Sequence, residues 1–358
     1  MSVTVAIPVR DGGALLAGTL QALARQSVEH ELLVCDSGSR DGSVDLARSY
    51  GARVLEIAPA RFNHGGTRNL LTGEARGEHV ALLTQDAEPA DEHWLERLLG
   101  GFELDEDIGI VYGPYRPRPG ASAAVRIELE RWFRSLSPDG RACVERLAMS
   151  ARGEPGAGAG PAASSGEEGP PRPSLLELIA RRGFFTDANA CIARGAWERV
   201  PFREVPYAED RVLAIDMLRA GYGKAFVPEA AVLHSHDYSS AELVRRSFDE
   251  WRGLREVYGW REPASPGRLV GNLRGELGAT RRELRAAGAP PLQRRATLIA
   301  VTRHHLLRMT GALLGSRADA LPVWARRRLS LEGRASFSPV DLDRLPIAPL
   351  TPTQDDRT

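Results

Sequence analysis

Lysine is almost missing. Of the 47 basic residues, 46 are arginine and Lys224 is the single lysine. Cysteine is nearly as scarce. Cys35, Cys143 and Cys191 stand far apart, with no zinc-ligand spacing and no disulfide framework. That distribution fits a reducing, cytoplasmic setting rather than a secreted, oxidised one. Long apolar runs are absent too: Arg10 and Asp11 cut the first one short, so neither a signal peptide nor a spanning helix is expected. Basic stretches with interleaved aromatics are not found, which speaks against nucleic-acid binding.

What remains is ordinary globular material, with 42% apolar and 26% charged residues in 358 and a formal net charge of zero. The charge is unevenly spread. Residues 241–358 hold 21 Arg and 13 Asp or Glu, a net of +8, so residues 1–240 carry −8.

The first 112 residues alternate strand and helix signals. Val3–Val9, Glu31–Asp36, Arg53–Ile57, His79–Thr84 and Ile108–Tyr112 are β-rich, and helical patterns fall between them. Such alternation predicts an α/β, Rossmann-like, mostly parallel sheet with flanking helices. Ligands bind such sheets beyond the carboxyl ends of the strands. Asp11, Asp36 and Asp86 all fall at strand ends. Residues 153–173 are rich in Gly, Pro, Ala and Ser and read as a disordered loop insertion. Strand signals resume at Asn189–Ala193, Lys224–Val227 and Ala231–His234, and Glu209–Ala220 reads as a helix. The expected organisation is a domain over 1–240 and a mainly helical basic extension over 241–358.

Five motifs follow in a fixed order: IPVRD at 7–11, CDSGSRDGS at 35–43, FNHGGTRN at 62–69, LTQDAEP at 83–89 and YAEDR at 207–211. Together they resemble the successive motifs of the family 2 glycosyltransferases, inverting enzymes of GT-A fold. The segments VLHSHDYS at 232–239 and LPVWARRRLSLEG at 321–333 resemble the bacterial rhamnosyltransferase subgroup. The likeness spans nearly the whole chain, with 153–173 as its main departure.

The resemblance implies an inverting glycosyltransferase that moves a sugar, rhamnose from dTDP-rhamnose in this subgroup, onto a glycan or lipid-linked glycan of a cell-surface polysaccharide. Another UDP- or dTDP-sugar donor is the alternative. The implied cofactor is a divalent metal, Mg2+ or Mn2+. By the same resemblance, Asp86 is the metal-binding acid, with His234 and His236 as candidates to complete the site and His234 favoured. Thr84 departs from the pattern, standing where many relatives have an acid. Pro8, Arg10, Asp36, Arg68 and Gln85 are implied at the donor, with Asp36 on the nucleobase and ribose and Arg68 near the diphosphate. Asp210 is implied as catalytic base with Glu209 as its neighbour. Asp187 and Trp197 lie where relatives build the acceptor pocket.

Two other functions compete. A sugar nucleotidyltransferase needs an N-terminal Gly-rich loop with Arg and Lys, and Gly12-Gly13 is too short and lacks the Lys. A non-catalytic nucleotide-sugar binder is conceivable given Thr84, but Asp86, Asp210 and His234 argue against it. The basic tail mixes Leu298, Ile299, Leu306 and Leu307 with arginines, which suits either packing on the domain or an anionic membrane surface. The expected location is cytoplasmic, peripheral on the inner face of the membrane.

Overall fold

The computed structural model describes residues 1–147 and 183–341, so the insertion at 153–173 lies outside the described residues. The first part runs β1 (Val3–Val9), α1 (Gly13–Leu23), β2 (Glu31–Asp36), α2 (Ser43–Ser49), β3 (Arg53–Glu56), α3 (His64–Glu74) and β4 (His79–Leu83). It continues through β5 (Glu88–Pro89), α4 (Trp94–Gly100), β6 (Ile108–Tyr112), β7 (Tyr115–Arg116), α5 (Ala123–Leu136) and β8 (Cys143–Glu145). The second part holds β9 (Asn189–Ala193), α6 (Arg194–Arg199), α7 (Glu209–Arg219), β10 (Gly223–Phe226) and β11 (Val232–Leu233). Four helices close it: α8 (Ser240–Tyr258), α9 (Pro266–Ala286), α10 (Pro291–Gly315) and α11 (Val323–Leu329).

Eight strands form the central sheet in the order β3-β2-β1-β4-β9-β6-β10-β8. The alternation of side chains along a strand explains how it is covered. Val5, Ile7 and Val9 of β1 pack with Ala81 and Leu83 of β4 against Leu16 and Leu20 of α1 and Trp94 and Leu98 of α4. Ala6, Val80 and Leu82 point the other way, into a core with Leu71 of α3, Trp197 of α6 and Leu213 and Met217 of α7. Strands buried on both faces read as continuous apolar runs, which is why VTVAIPV looks as it does.

The sheet is not wholly parallel. β9 runs against both β4 and β6, pairing Leu83 with Asn189 and Tyr112 with Ala190. The reversal matters for the site. The residues that precede β9, Asp187 among them, thereby sit at the edge where β1, β2 and β4 end. A second sheet, β5-β11-β7, joins the same edge, with Leu233 paired to Glu88 and Val232 to Tyr115.

The tail is helical and packs back on the domain. A capping box between Ser239 and Glu242 starts α8, and Gly259 at φ +68° ends it. Gly311 and Gly315 let α10 lie directly on α8: a Cβ at either would press onto the carbonyl oxygen of Val244 or Phe248. On its other side α10 meets α5, where His304 Nε2 lies 2.8 Å from Glu128 and Arg308 also pairs with Glu128. No helix of the described residues is long and apolar enough to cross a membrane.

Candidate active site

The strand-end loops are held together by their own polar groups. Gln85 clamps the loop after β1, accepting from the Arg10 N–H at 2.8 Å and donating to the Arg10 carbonyl at 3.1 Å. Asp11, at φ +46°, donates its N–H to Ser39 and accepts from the Arg40 N–H, each at 2.8 Å. Pro8 pairs with Cys35 across β1 and β2 and is partly buried, while Arg10 is exposed. Asp36 is 3% exposed at the end of β2. Its Oδ2 accepts the N–H groups of Gly38 and Ser39 at 2.8 and 3.0 Å, while its buried Oδ1 has no partner in the protein. A buried carboxylate oxygen without a donor is costly unless a ligand supplies one. Pro8, Arg10, Asp36 and Gln85 thus converge at one edge of the sheet.

Beside them stands the second group. The β5–β11 pairing brings the segment after β11 against the end of β4. One ligand atom each from Asp86, His234 and His236 can lie within 4.8 Å of the others. His236 Nε2 is 3.1 Å from Asp86 Oδ2, and His234 Nδ1 is 3.5 Å from Asp86 Oδ1. Arg118 fixes the turn, donating to the Asp86 carbonyl at 2.7 Å and pairing with Glu88 at 3.2 Å. Burial alone would raise the Asp86 pKa, but the two imidazoles outweigh it and hold the carboxyl below its usual range. Burial lowers the pKa of His234 against the pull of Asp86, which favours the neutral imidazole that ligates metals.

The third group surrounds Arg68. The sequence-based expectation put this guanidinium at the donor diphosphate. The structure places it among carboxylates, 3% exposed. Its Nη2 donates to Asp187 Oδ1 at 2.8 Å, Nε lies 2.5 Å from Asp187 Oδ2, and Nη1 is 3.3 Å from Glu209 Oε1. Arg68 faces Asp187, Glu209 and Asp210, and Arg211 also draws on Asp210, yet three acids outnumber the two cations. Burial, then the charge of Asp187, pushes Glu209 well up and Asp210 up to about 7. Asp187 is raised by burial as well, although Arg68 opposes it. Glu209 is buried, whereas Asp210 keeps partial exposure. Both open α7, and the residue before them, Ala208, is held at φ +56°, a left-handed conformation that a side chain resists.

Tyr115 connects the second and third groups. Its ring meets His234 edge-on at 4.7 Å, and its hydroxyl bonds Thr186. Burial, and the nearby charges of Asp187, Asp210 and Asp86, keep that phenol protonated despite the bond to Thr186.

Residues 4–147 match the family model described as glycosyl transferase family 2. The O-antigen chain rhamnosyltransferase RfbN of Salmonella typhimurium is 30% identical over 254 residues, 70% of this chain and 71% of that protein. This chain belongs to glycosyl transferase family 2. A second rhamnosyltransferase, WbaN of Salmonella anatum, is 28% identical over 223 residues, 61% of each chain. Among solved structures, a mannosyltransferase from Pyrobaculum calidifontis in complex with GDP-Man and Mn2+ shares the fold with a TM-score of 0.52 at 18% identity, covering 89% of this chain and 86% of that one. The family membership and the GT-A architecture read from the motifs are both upheld.

Sequence reasoning missed some of the site. Tyr115 and Arg118 lie in a short connection with no periodic signal. The pairing of Asp187 with Arg68 spans 119 positions and leaves no local trace. Trp197 proves to be core, 3% exposed, with its indole N–H donated to Asn69 Oδ1 at 2.9 Å.

Proposed function

We propose that this glycosyltransferase is an inverting enzyme that moves rhamnose from dTDP-rhamnose to a hydroxyl of a cell-surface polysaccharide or lipid-linked glycan. The observation that carries the inverting reading is the pair of acidic groups of opposite character at one sheet edge. The donor sugar rests on the likeness to the two Salmonella rhamnosyltransferases.

The donor's nucleoside fits the strand-end loops. The free Oδ1 of Asp36 accepts an N–H of the base or a ribose hydroxyl, and Gln85 keeps the Arg10 loop in place beside it. Asp86, His234 and His236 suit a divalent cation, Mg2+ or Mn2+: one anionic oxygen and two imidazoles lie within coordinating reach, and the carboxyl stays ionised at neutral pH. Such a cation would neutralise the charge that develops on the departing diphosphate. Thr84 supplies no carboxylate, so phosphate and water would fill the remaining positions.

Inversion requires the acceptor hydroxyl to attack opposite the leaving group, and its proton must go to a base. Asp210 is the base. Glu209 is buried and engaged by Arg68, whereas Asp210 has access and an affinity for protons near neutrality. A base poised there can take a proton from the hydroxyl and return it to water. Arg68 and Asp187 act by position, fixing the start of α7. With this arrangement Arg68 reaches the donor only if it gives up a buried ion pair, so it serves the base side.

The extension offers a further surface. Leu292, Ile299 and Leu306 recur every seven residues on α10 and are 81, 70 and 43% exposed, with Arg295 and Arg303 exposed between them. Apolar side chains ringed by arginine suit an anionic membrane, where a lipid-linked acceptor would reside. Binding to anionic vesicles should weaken with salt, and equal binding to neutral vesicles would refute this part.

Release of nucleoside diphosphate from a panel of dTDP-, UDP- and GDP-sugars tests the main reading. dTDP-rhamnose with a divalent cation should give the fastest release. Preference for another sugar would overturn the donor, and tight binding without release would point to a non-catalytic binder.

A further inference from the structure

A groove of about 650 Å³ lies between α5 and the C-terminal helices, a size usual for small-molecule sites. None of the donor, metal or base residues lines it, yet it reaches Arg211, the residue after Asp210. Its lining is unusual in kind. Trp132 of α5 is 45% exposed, a large apolar side chain left at the surface. Its ring meets Phe184 edge-on at 5.0 Å, and the Arg211 guanidinium sits over the Phe184 ring, 5.7 Å from its centroid. Trp251 of α8 and Asn272 of α9 face the groove from the opposite wall.

The charges along it are spent on one another. Arg131 pairs with Glu276 and with Glu283, the latter at 2.9 Å, and donates to Thr280 at 3.1 Å. Arg308 pairs with Glu128 and, at 3.2 Å, with Glu250. Paired ions leave little net field, so Arg131 and Arg308 would not hold a free anion. They also make the walls too polar for a lipid chain. A sugar chain has the matching properties. Its rings carry C–H faces that lie flat on aromatic side chains, and its hydroxyls both donate and accept at the polar edges.

We propose that this groove seats the non-reducing end of the glycan acceptor and leads its terminal hydroxyl to Asp210. The occupant is a neutral oligosaccharide, its sugars stacked against Trp132 and Trp251. The C-terminal helices thereby form one wall of the acceptor site. The assignment rests on the glycosyltransferase reading above, but its test does not need the donor.

The test uses the full chain with rhamnose, and with rhamno- and manno-oligosaccharides of two and four units, followed by tryptophan fluorescence and ligand-observed NMR. A tetrasaccharide should bind more tightly than the monosaccharide. Trp132→Ala should weaken it about tenfold, a typical return for one aromatic contact. Trp132→Phe should regain part of the loss, and Asn272→Ala should cost less. dTDP affinity should be the same in all variants. The proposal is overturned if no oligosaccharide binds better than rhamnose, or if Trp132→Ala binds the tetrasaccharide as tightly as the parent. It is also overturned if pyrophosphate or polyprenyl phosphate vesicles perturb Trp132 and the sugars do not. Failure of donor turnover with Trp132-dependent sugar binding intact would sink the donor reading and leave the groove. Normal donor turnover with no sugar in the groove would do the reverse.

Discussion

Asp86 and Asp210 are the same residue type at the same sheet edge, yet their surroundings drive them apart. Asp86 lies against two imidazoles, and its carboxyl is held low. Asp210 sits beside Asp187 and Glu209, both buried, and burial and the charge of Asp187 push it up to about 7 against the pull of Arg211 and Arg68. An acid held ionised beside two imidazoles suits a cation; an acid that titrates near neutrality suits a proton. The fold produces the difference by what it delivers to each place. The small β5-β11-β7 sheet brings histidines to one, and the antiparallel β9 brings Asp187 to the other.

The largest break in this comparison should come from Asp86→Ala. Without its anionic oxygen the cation is lost, and turnover should fall by about 10³-fold or more, since the metal supplies several kcal/mol to the transition state. Near-normal turnover in chelator-treated variant would end the metal assignment. Asp210→Asn keeps the shape and removes the basicity. Its kcat should fall by about 10²–10⁴-fold, the usual range for a general base. Glu209→Gln should cost less, and the reverse order would move the base to Glu209.

Arg68→Met probes stability instead. It leaves Asp187 and Glu209 buried without a counter-charge, which should cost about 3–5 kcal/mol in urea unfolding. A change of under about 1 kcal/mol would show that the trio is already neutralised by protons.

The pH dependence gives a finer test. Asp210 accepts a proton only when ionised, so kcat should rise with pH through about 7. Asp187→Asn removes the repelling charge and should shift that limb down by on the order of one unit. Stability carries the opposite sign. A carboxyl whose folded pKa lies above its unfolded value binds the proton more tightly when folded. Its contribution is therefore present at acid pH and is lost as pH rises from about 4 towards 7. The smallest effect expected is the inequality of the two histidines. His234→Ala should raise the cation concentration needed for half activity more than His236→Ala, because His234 is the more buried imidazole and is held against Tyr115, whereas His236 is more exposed and stacks on Tyr238.

The N-terminal half of the fold was legible from sequence because its cues are local. Parallel strands buried on both faces write apolar runs, and Asp36 and Asp86 follow at the ends of those runs. The other half was not. β9 reads as a strand, but nothing in NACIA reveals that it runs antiparallel between β4 and β6. Arg131 of α5 pairs with Glu276 of α9, 145 positions away, a contact that no local pattern announces. Arg68 shows the limit most plainly: the motif singles out this arginine for the donor side, and only the fold shows which anions hold it.

The most direct test sets donor affinity beside turnover for both acids, by titrating dTDP-rhamnose calorimetrically into Asp86→Ala and Asp210→Asn in the presence of Mn2+. The account predicts that Asp86→Ala binds the donor weakly, whereas Asp210→Asn binds it as the parent does and fails only in kcat. Donor binding lost in Asp210→Asn and kept in Asp86→Ala would reverse the two roles and contradict the account.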